Sequence, residues 1–166
     1  MPKGPAARIT DSVSHPLPPV LTPGPGSLTC LIGFLPAWRG MPLAGAAAVQ
    51  AAQKVAHTTI EIAKAATQAA SGTPAMPGLK IAEETTKGLM LAQMTSTIMS
   101  AAAGADIHAC VTPLPVPPHG PGVVIDGSAT VLIDKLPACR LGDTVLEAIG
   151  GPNKIAKGCT TVIIGG

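Results

Sequence analysis

A chain of 166 residues has room for one domain with a modest core. It is 46% hydrophobic yet carries one Trp, one Phe and no Tyr, so that core must come from Val, Ile, Leu, Ala and closely spaced backbone. A formal net charge of +2, with Lys and Arg scattered, excludes a nucleic-acid footprint.

The first apolar run is broken by His15 and four prolines, and no basic segment precedes it, so no signal peptide is expected. The four cysteines (30, 110, 139, 159) form no CxxC pair. Without a secretory signal they are expected to be reduced core residues or metal ligands, not a disulfide framework.

Residues 25–39 read PGSLTCLIGFLPAWR, and 126–140 read DGSATVLIDKLPACR. The same phrase starts again at 157–166 as KGCTTVIIGG. Gly26, Gly127 and Gly158 align. The half missing from the third copy, PAAR, stands at 5–8. The termini should therefore meet, with the last strand beside the first segment. Three equivalent units then close around an approximate threefold axis instead of stacking as a solenoid.

Each unit reads as β-structure. Thr29-Cys30-Leu31-Ile32, Thr130-Val131-Leu132-Ile133 and Thr161-Val162-Ile163-Ile164 are short, apolar and bounded by Gly or Pro. A turn follows, and Leu-Pro-Ala resumes an extended strand. Arg8, Arg39 and Arg140 are expected to satisfy carboxylates or backbone carbonyls, not to catalyse.

Asp11 and Asp143 follow Arg8 and Arg140, each 15 residues before the next repeat glycine. Arg39 has no such neighbour; its counterpart is Asp106, 21 residues before Gly127. The stretch between is an insertion. Alanine dominates residues 44–103, and polar residues at 50, 53, 54, 57, 58, 61, 64 and 68 recur at helical spacing. SGTPAMPG at 71–78 breaks the pattern, and a second helix is predicted over 79–103. The result is an αα-hairpin whose small residues let the helices approach closely. His57 falls on its polar face and is expected at the surface. Residues 88–105 carry no charge, but eighteen residues is the short limit of a membrane span, and Gln93, Thr95, Ser96, Thr97 and Ser100 lower the hydrophobicity. A packed hairpin is the better reading.

Four residues after each landmark Asp stand His15, Cys110 and Glu147. Two after stand Val13, His108 and Val145. Positions 108 and 110 of one strand share a face. The middle loop carries six extra residues and His119, in PVPPHGPG. Imidazole and thiolate are the usual zinc ligands, and His15, His108, Cys110 and His119 would form a closed structural site, with Glu147 in reserve. The plainer reading is loop histidines and a core cysteine. Cys30 aligns with valines and is expected in the core; Cys139 and Cys159 do not read as ligands. An open zinc site with Glu147 as general base would make a hydrolase. The repeats consume the chain and leave no pocket-building α/β pattern, so no enzyme and no catalytic residue is expected.

PAAR at 5–8, PAWR at 36–39 and PACR at 137–140, each paired with a GSxTVLI-type strand, resemble the PAAR-repeat proteins, the spike-tip proteins of type VI secretion and related contractile injection systems. The resemblance covers residues 2–41 and about 104–166. It implies a mainly β fold: a small pseudo-threefold cone of short strands (1–43 and 104–166) closed by meeting termini, with the helical hairpin (44–103) inserted. It implies a structural zinc near the apex, held by His15, His108 and His119. Many members resemble G-D-x-C-x-C in the last loop, where this chain reads Gly142-Asp143-Thr144-Val145-Leu146-Glu147. Cys110 is the nearest substitute, and the fourth ligand stays open. The implied partner is a trimeric VgrG-like spike, one tip per trimer, with an effector or chaperone as a further partner through 44–103. The implied role is to cap and sharpen the spike and aid membrane puncture, with transient membrane contact during injection. The alternative is a cargo adaptor or membrane-active effector acting through the hairpin. The protein is expected in the cytoplasm before assembly and outside, or in the target cell, after firing.

Overall fold

The computed structural model describes residues 2–14, 20–110 and 119–166, with Cys110 described in its backbone alone. The elements run β1 (Gly4–Ala6), β2 (Leu31–Ile32), β3 (Leu35–Pro36), α1 (Leu43–Ala69), α2 (Met76–Ala101), β4 (Ile107–Cys110), β5 (Gly120–Val124), β6 (Leu132–Ile133), β7 (Leu136–Pro137), β8 (Thr144–Glu147), β9 (Pro152–Lys154) and β10 (Cys159–Ile164).

The repeats fold as three short antiparallel pairs: β2 with β3, β6 with β7, and β1 with β10. The third pair joins the two ends of the chain, with Gly4 opposite Ile164. The spacing of the split repeat predicts this closure. Each repeat glycine sits where backbone approaches closely. A Cβ on Gly26 would meet Pro36 Cβ at 2.6 Å, one on Gly127 would meet Pro137 Cβ at 2.9 Å, and one on Gly158 would meet Pro5 O at 2.7 Å.

Above these pairs the three segments close a cycle of backbone hydrogen bonds. Ala7 N donates to Cys139 O (2.9 Å), Cys139 N to Trp38 O (3.1 Å), and Trp38 N to Ala7 O (2.9 Å). The bridges Ala6↔Arg140, Arg8↔Ala37 and Arg39↔Ala138 repeat the same relation. No segment is left with an unpaired edge at this level, which is how a small β-structure avoids exposing one.

Beyond the cycle each unit sends out a hairpin. The sheet β4-β5-β8-β9 is extended at both ends by the first hairpin. Pro23 bridges His108, Val13 bridges Ile155, and Ser12 bridges Val20. The strands thereby close into a ring. Its interior, with Ala7, Val13, Leu21, Trp38, Val124, Cys139, Val145 and Ile155, is one apolar core.

Three Arg–Asp pairs lock the hairpins to the cycle. Arg8 Nη2 reaches Asp11 Oδ1 at 3.0 Å, Arg39 Nη2 reaches Asp106 Oδ1 at 2.8 Å, and Arg140 Nε reaches Asp143 Oδ1 at 2.9 Å. The same aspartates accept the backbone N–H of their arginines at 2.8, 2.7 and 2.9 Å. The arginines are thus structural, as their position in the repeat predicts.

The inserted hairpin packs on the side of the ring. Ala46, Val49, Ala56, Met94 and Ile98 share a core with Val123, Ile125, Leu146 and Ala148. The distal turns hold each other: Thr67 Oγ1 donates to Leu79 O at 3.3 Å, and buried Lys87 pairs with Glu83 (2.5 Å) and Glu84 (2.9 Å). The second helix begins at Met76, three residues earlier than the sequence predicts. Pro77 lies in its first turn, where a missing N–H costs no helical hydrogen bond. His57 is exposed. Among the described residues no helix is long and apolar enough to cross a membrane.

Candidate functional site

Two ends of the ring carry features beyond packing. From the turn at Gly33 the first repeat runs back to the backbone cycle, and beyond the cycle β4 leads away from it, so that turn and the Cys110 end of β4 lie at opposite ends. We term them base and apex.

The apex is built on β4, β5 and β8. Gly122 on β5 stands opposite His108 on one neighbour and Glu147 on the other. A Cβ there would meet Glu147 Cγ at 3.2 Å and His108 Cδ2 at 3.4 Å, so glycine makes the room in which the two side chains face each other. His108 Nε2 lies 3.8 Å from Glu147 Oε1. His119, just before β5, places Nδ1 2.8 Å from Glu147 Oε2. Glu147 and His108 are fully buried, while the His119 side chain is 22% exposed. Gly150 closes the far side: a Cβ on it would fall 2.4 Å from Glu147 Oε2 and 2.9 Å from His119 Nδ1. Gln53 of α1 clamps this loop, its Nε2 donating to Glu147 O and Gly150 O, both at 3.0 Å.

Of the sequence-derived ligands, His108, His119 and the reserve Glu147 come together. His15 lies outside the described residues, as does the side chain of Cys110. Among the described residues no three His, Cys, Asp or Glu side chains already form a metal-holding group. What the structure brings together is two imidazoles against one buried carboxylate, held by β4, β5 and β8. Cys139 and Cys159 are buried and Cys30 is partly buried against the core near the base, so none of them belongs to the apex. Burial pushes the Cys139 thiol well above its ordinary pKa, as suits an inert core residue. Gln53, Gly122 and Gly150 escape the sequence reading. Gln53 belongs to a polar helical stripe that looks merely solvated, and the glycines look like turns.

The base is apolar and open. Leu31, Leu132 and Ile163 hold equivalent positions in the three repeats and are 62%, 58% and 57% exposed. Leu28 and Phe34 extend this surface at 85% and 96% exposure. Water-facing apolar groups at three related positions mark a surface built to be covered.

The fold and these two ends define a pseudo-threefold β-cone with a polar apex and an apolar base. Residues 114–166 match the family model described as PAAR motif, a match that supports a PAAR-repeat protein. The matched segment holds the second repeat and the strand of the third, whose other half stands at 5–8; the first reproduces the hydrogen bonds of the second. No curated protein and no solved structure matches the chain. The PAAR motif is associated with the spike-tip proteins of type VI secretion, a structural class and not an enzyme class.

Proposed function

We propose that the chain caps the blunt end of a trimeric VgrG-like spike, one cone per trimer. The observation that carries this reading is the triplet Leu31, Leu132 and Ile163, exposed to nearly equal extents at equivalent positions. A single chain with internal threefold repetition offers three like contacts to three like subunits. Covering them would bury apolar area and the short strand edges beside it. The protein then works mechanically, ending the spike in a small, closed structure and travelling with it from the cytoplasm through the target membrane. Replacing Leu132 by Asp should weaken binding to the purified spike trimer by about tenfold or more while circular dichroism stays unchanged. Unaltered affinity would remove the base as the docking face.

Zinc at the apex is the second part of the proposal. His108 and His119 would supply two ligands, with His15 and Cys110 completing the set and Glu147 accepting the Nδ1–H of His119 to orient that ring. Bound zinc would tie the first hairpin to the second, with Glu147 of the third held through His119, and add folding free energy to a chain with few aromatics. His119→Ala should lower both zinc per chain, read by elemental mass spectrometry, and the melting temperature. Full zinc content in that variant would exclude His119 as a ligand.

The hairpin shares a core with the ring, which favours a built-in part of the tip over a detachable effector. Its outer side, with Val55, Ile62, Ile81 and Leu89 exposed, is the surface we assign to cargo or a chaperone.

A further inference from the structure

Three equivalent cradles lie where neighbouring repeats meet at the base. Each is made from a Ser or Cys after the repeat glycine, a Thr two residues on, and the repeat arginine. In the first, Ser27 Oγ donates to Asp134 Oδ2 at 2.7 Å, Thr29 Oγ1 donates to Asp134 Oδ1, and Arg39 Nη1 donates to Oδ2 at 3.1 Å. In the second, Ser128 Oγ donates to Gly165 O at 2.5 Å and Arg140 Nη1 to Gly166 O. Both cradles therefore hold acceptor oxygens from the next repeat.

The third cradle has the donors without the acceptor. Cys159, Thr161 and Arg8 occupy the three positions, and the residue equivalent to Asp134 is Gly33. A Cβ on Gly33 would point into the cradle, 3.0 Å from Arg8 Nη1 and 3.3 Å from Cys159 Sγ. Arg8 spends Nε and Nη2 on Asp11, and Nη1 has no acceptor among the described residues. Cys159 Sγ and Thr161 Oγ1 bond each other at 3.1 Å. Arg39 meets two carboxylates, Asp106 and Asp134, while among the described residues Arg8 meets only Asp11. The donors also hold the Cys159 thiol below its ordinary pKa, the Thr161 hydroxyl first and the Arg8 charge to a lesser degree. Thr161 is exposed and Cys159, though mostly buried, keeps 8% of its surface, so the cradle reaches solvent on the Thr161 side.

We propose that this third cradle is a carboxylate-binding site, with Arg8 Nη1, Thr161 Oγ1 and Cys159 Sγ as its donors. Arg8 Nη1 leans into the vacant space and must swing back to admit a ligand, a small movement for the end of a flexible side chain. The carboxylate comes either free from solution or from an acidic side chain of a protein docked on the base. The chemistry is the same, and only the second source rests on the spike-tip reading.

The test uses the full chain. Gly33 has φ +55°, close to the +51° of Asp134, so the backbone already suits an aspartate. Gly33→Asp should melt about 3 °C or more above Gly33→Asn, which has the same shape without the charge. Its Cys159 should also react several-fold more slowly with iodoacetamide, read by peptide mass spectrometry, because a seated carboxylate disfavours the thiolate. Acetate, compared with chloride at equal ionic strength, should slow Cys159 alkylation in the unsubstituted chain and leave Gly33→Asp unaffected. Acetate without effect, beside a stabilised Gly33→Asp, assigns the site to a protein-borne carboxylate. If Gly33→Asp folds but gains nothing over Gly33→Asn, the proposal is overturned. If it does not fold, acetate protection of Cys159 decides alone, and its absence overturns the proposal.

Discussion

Replacing Trp38 by Ala should lower the melting temperature by roughly 10 °C. Trp38 is 1% exposed and is the largest fully buried side chain. Its equivalents across the backbone cycle are Ala7 and Cys139, both buried. Three equivalent positions converging on one axis leave room for one large side chain, and two small residues make way for the indole. Gly24 yields space as well, since a Cβ there would lie 2.9 Å from Trp38 Cη2. The other aromatic residue, Phe34, is 96% exposed, so no second ring fills the interior. Truncating a buried Trp to Ala costs about 3–5 kcal/mol because the surroundings only partly collapse. For a chain of this size each kcal/mol moves the midpoint by about 2–4 °C. Thermal unfolding followed by circular dichroism measures it. A shift of only a degree or two would mean that the three segments are not held by packing around the indole. Cys139→Ala, a much smaller loss of volume at the same level, should cost far less.

Asp106→Asn should come next, with a loss of about 3–5 kcal/mol, the usual cost of breaking a buried ion pair from one side. Asp106 is fully buried and accepts three bonds from Arg39: the backbone N–H at 2.7 Å, Nε at 3.1 Å and Nη2 at 2.8 Å. A guanidinium does not give up its proton in a protein, so Arg39 keeps its charge when the partner is neutralised. An asparagine amide would also turn donors toward donors. Urea unfolding should show a lower midpoint at unchanged slope. A loss below about 1 kcal/mol would contradict a strong buried pair. Arg39→Met combined with Asp106→Leu should recover much of the loss, because apolar replacement of both partners leaves no stranded charge.

The threefold phase is legible in the chain because closure of a ring imposes equal spacing. Asp11 and Asp143 must each reach their arginine and then feed a hairpin of fixed length, and both stand 15 residues from the next repeat glycine. The helical hairpin is legible from its Ala content and its polar period. That His108 and His119 lie against Glu147 accords with the same phase, which puts positions 108 and 147 shortly after their landmark aspartates. Other features depend on contacts that no local pattern encodes. Asp134 reads as a turn residue in place of Gly33, yet its carboxylate joins Ser27, Thr29 and Arg39 of another repeat. Glu147 reads as a substitute ligand, while its burial between two histidines follows from the missing side chain of Gly122.

The cycle of hydrogen bonds through Ala7, Trp38 and Cys139 bears on how the chain acquires its structure. Each bond in it joins residues at least 31 positions apart, and the longest spans 132. Gly4 meets Ile164 only after almost everything between them has been made. Such non-local pairing folds slowly, since loop closure comes before any reward. On the ribosome the hairpin of α1 and α2 is the part with enough local contacts to form early. The ring has no stable two-thirds version, because removing any one segment leaves both others with open edges. Assembly of the tip is therefore an all-or-none event that waits for the last strand, and a half-made cone has no finished base to offer a spike.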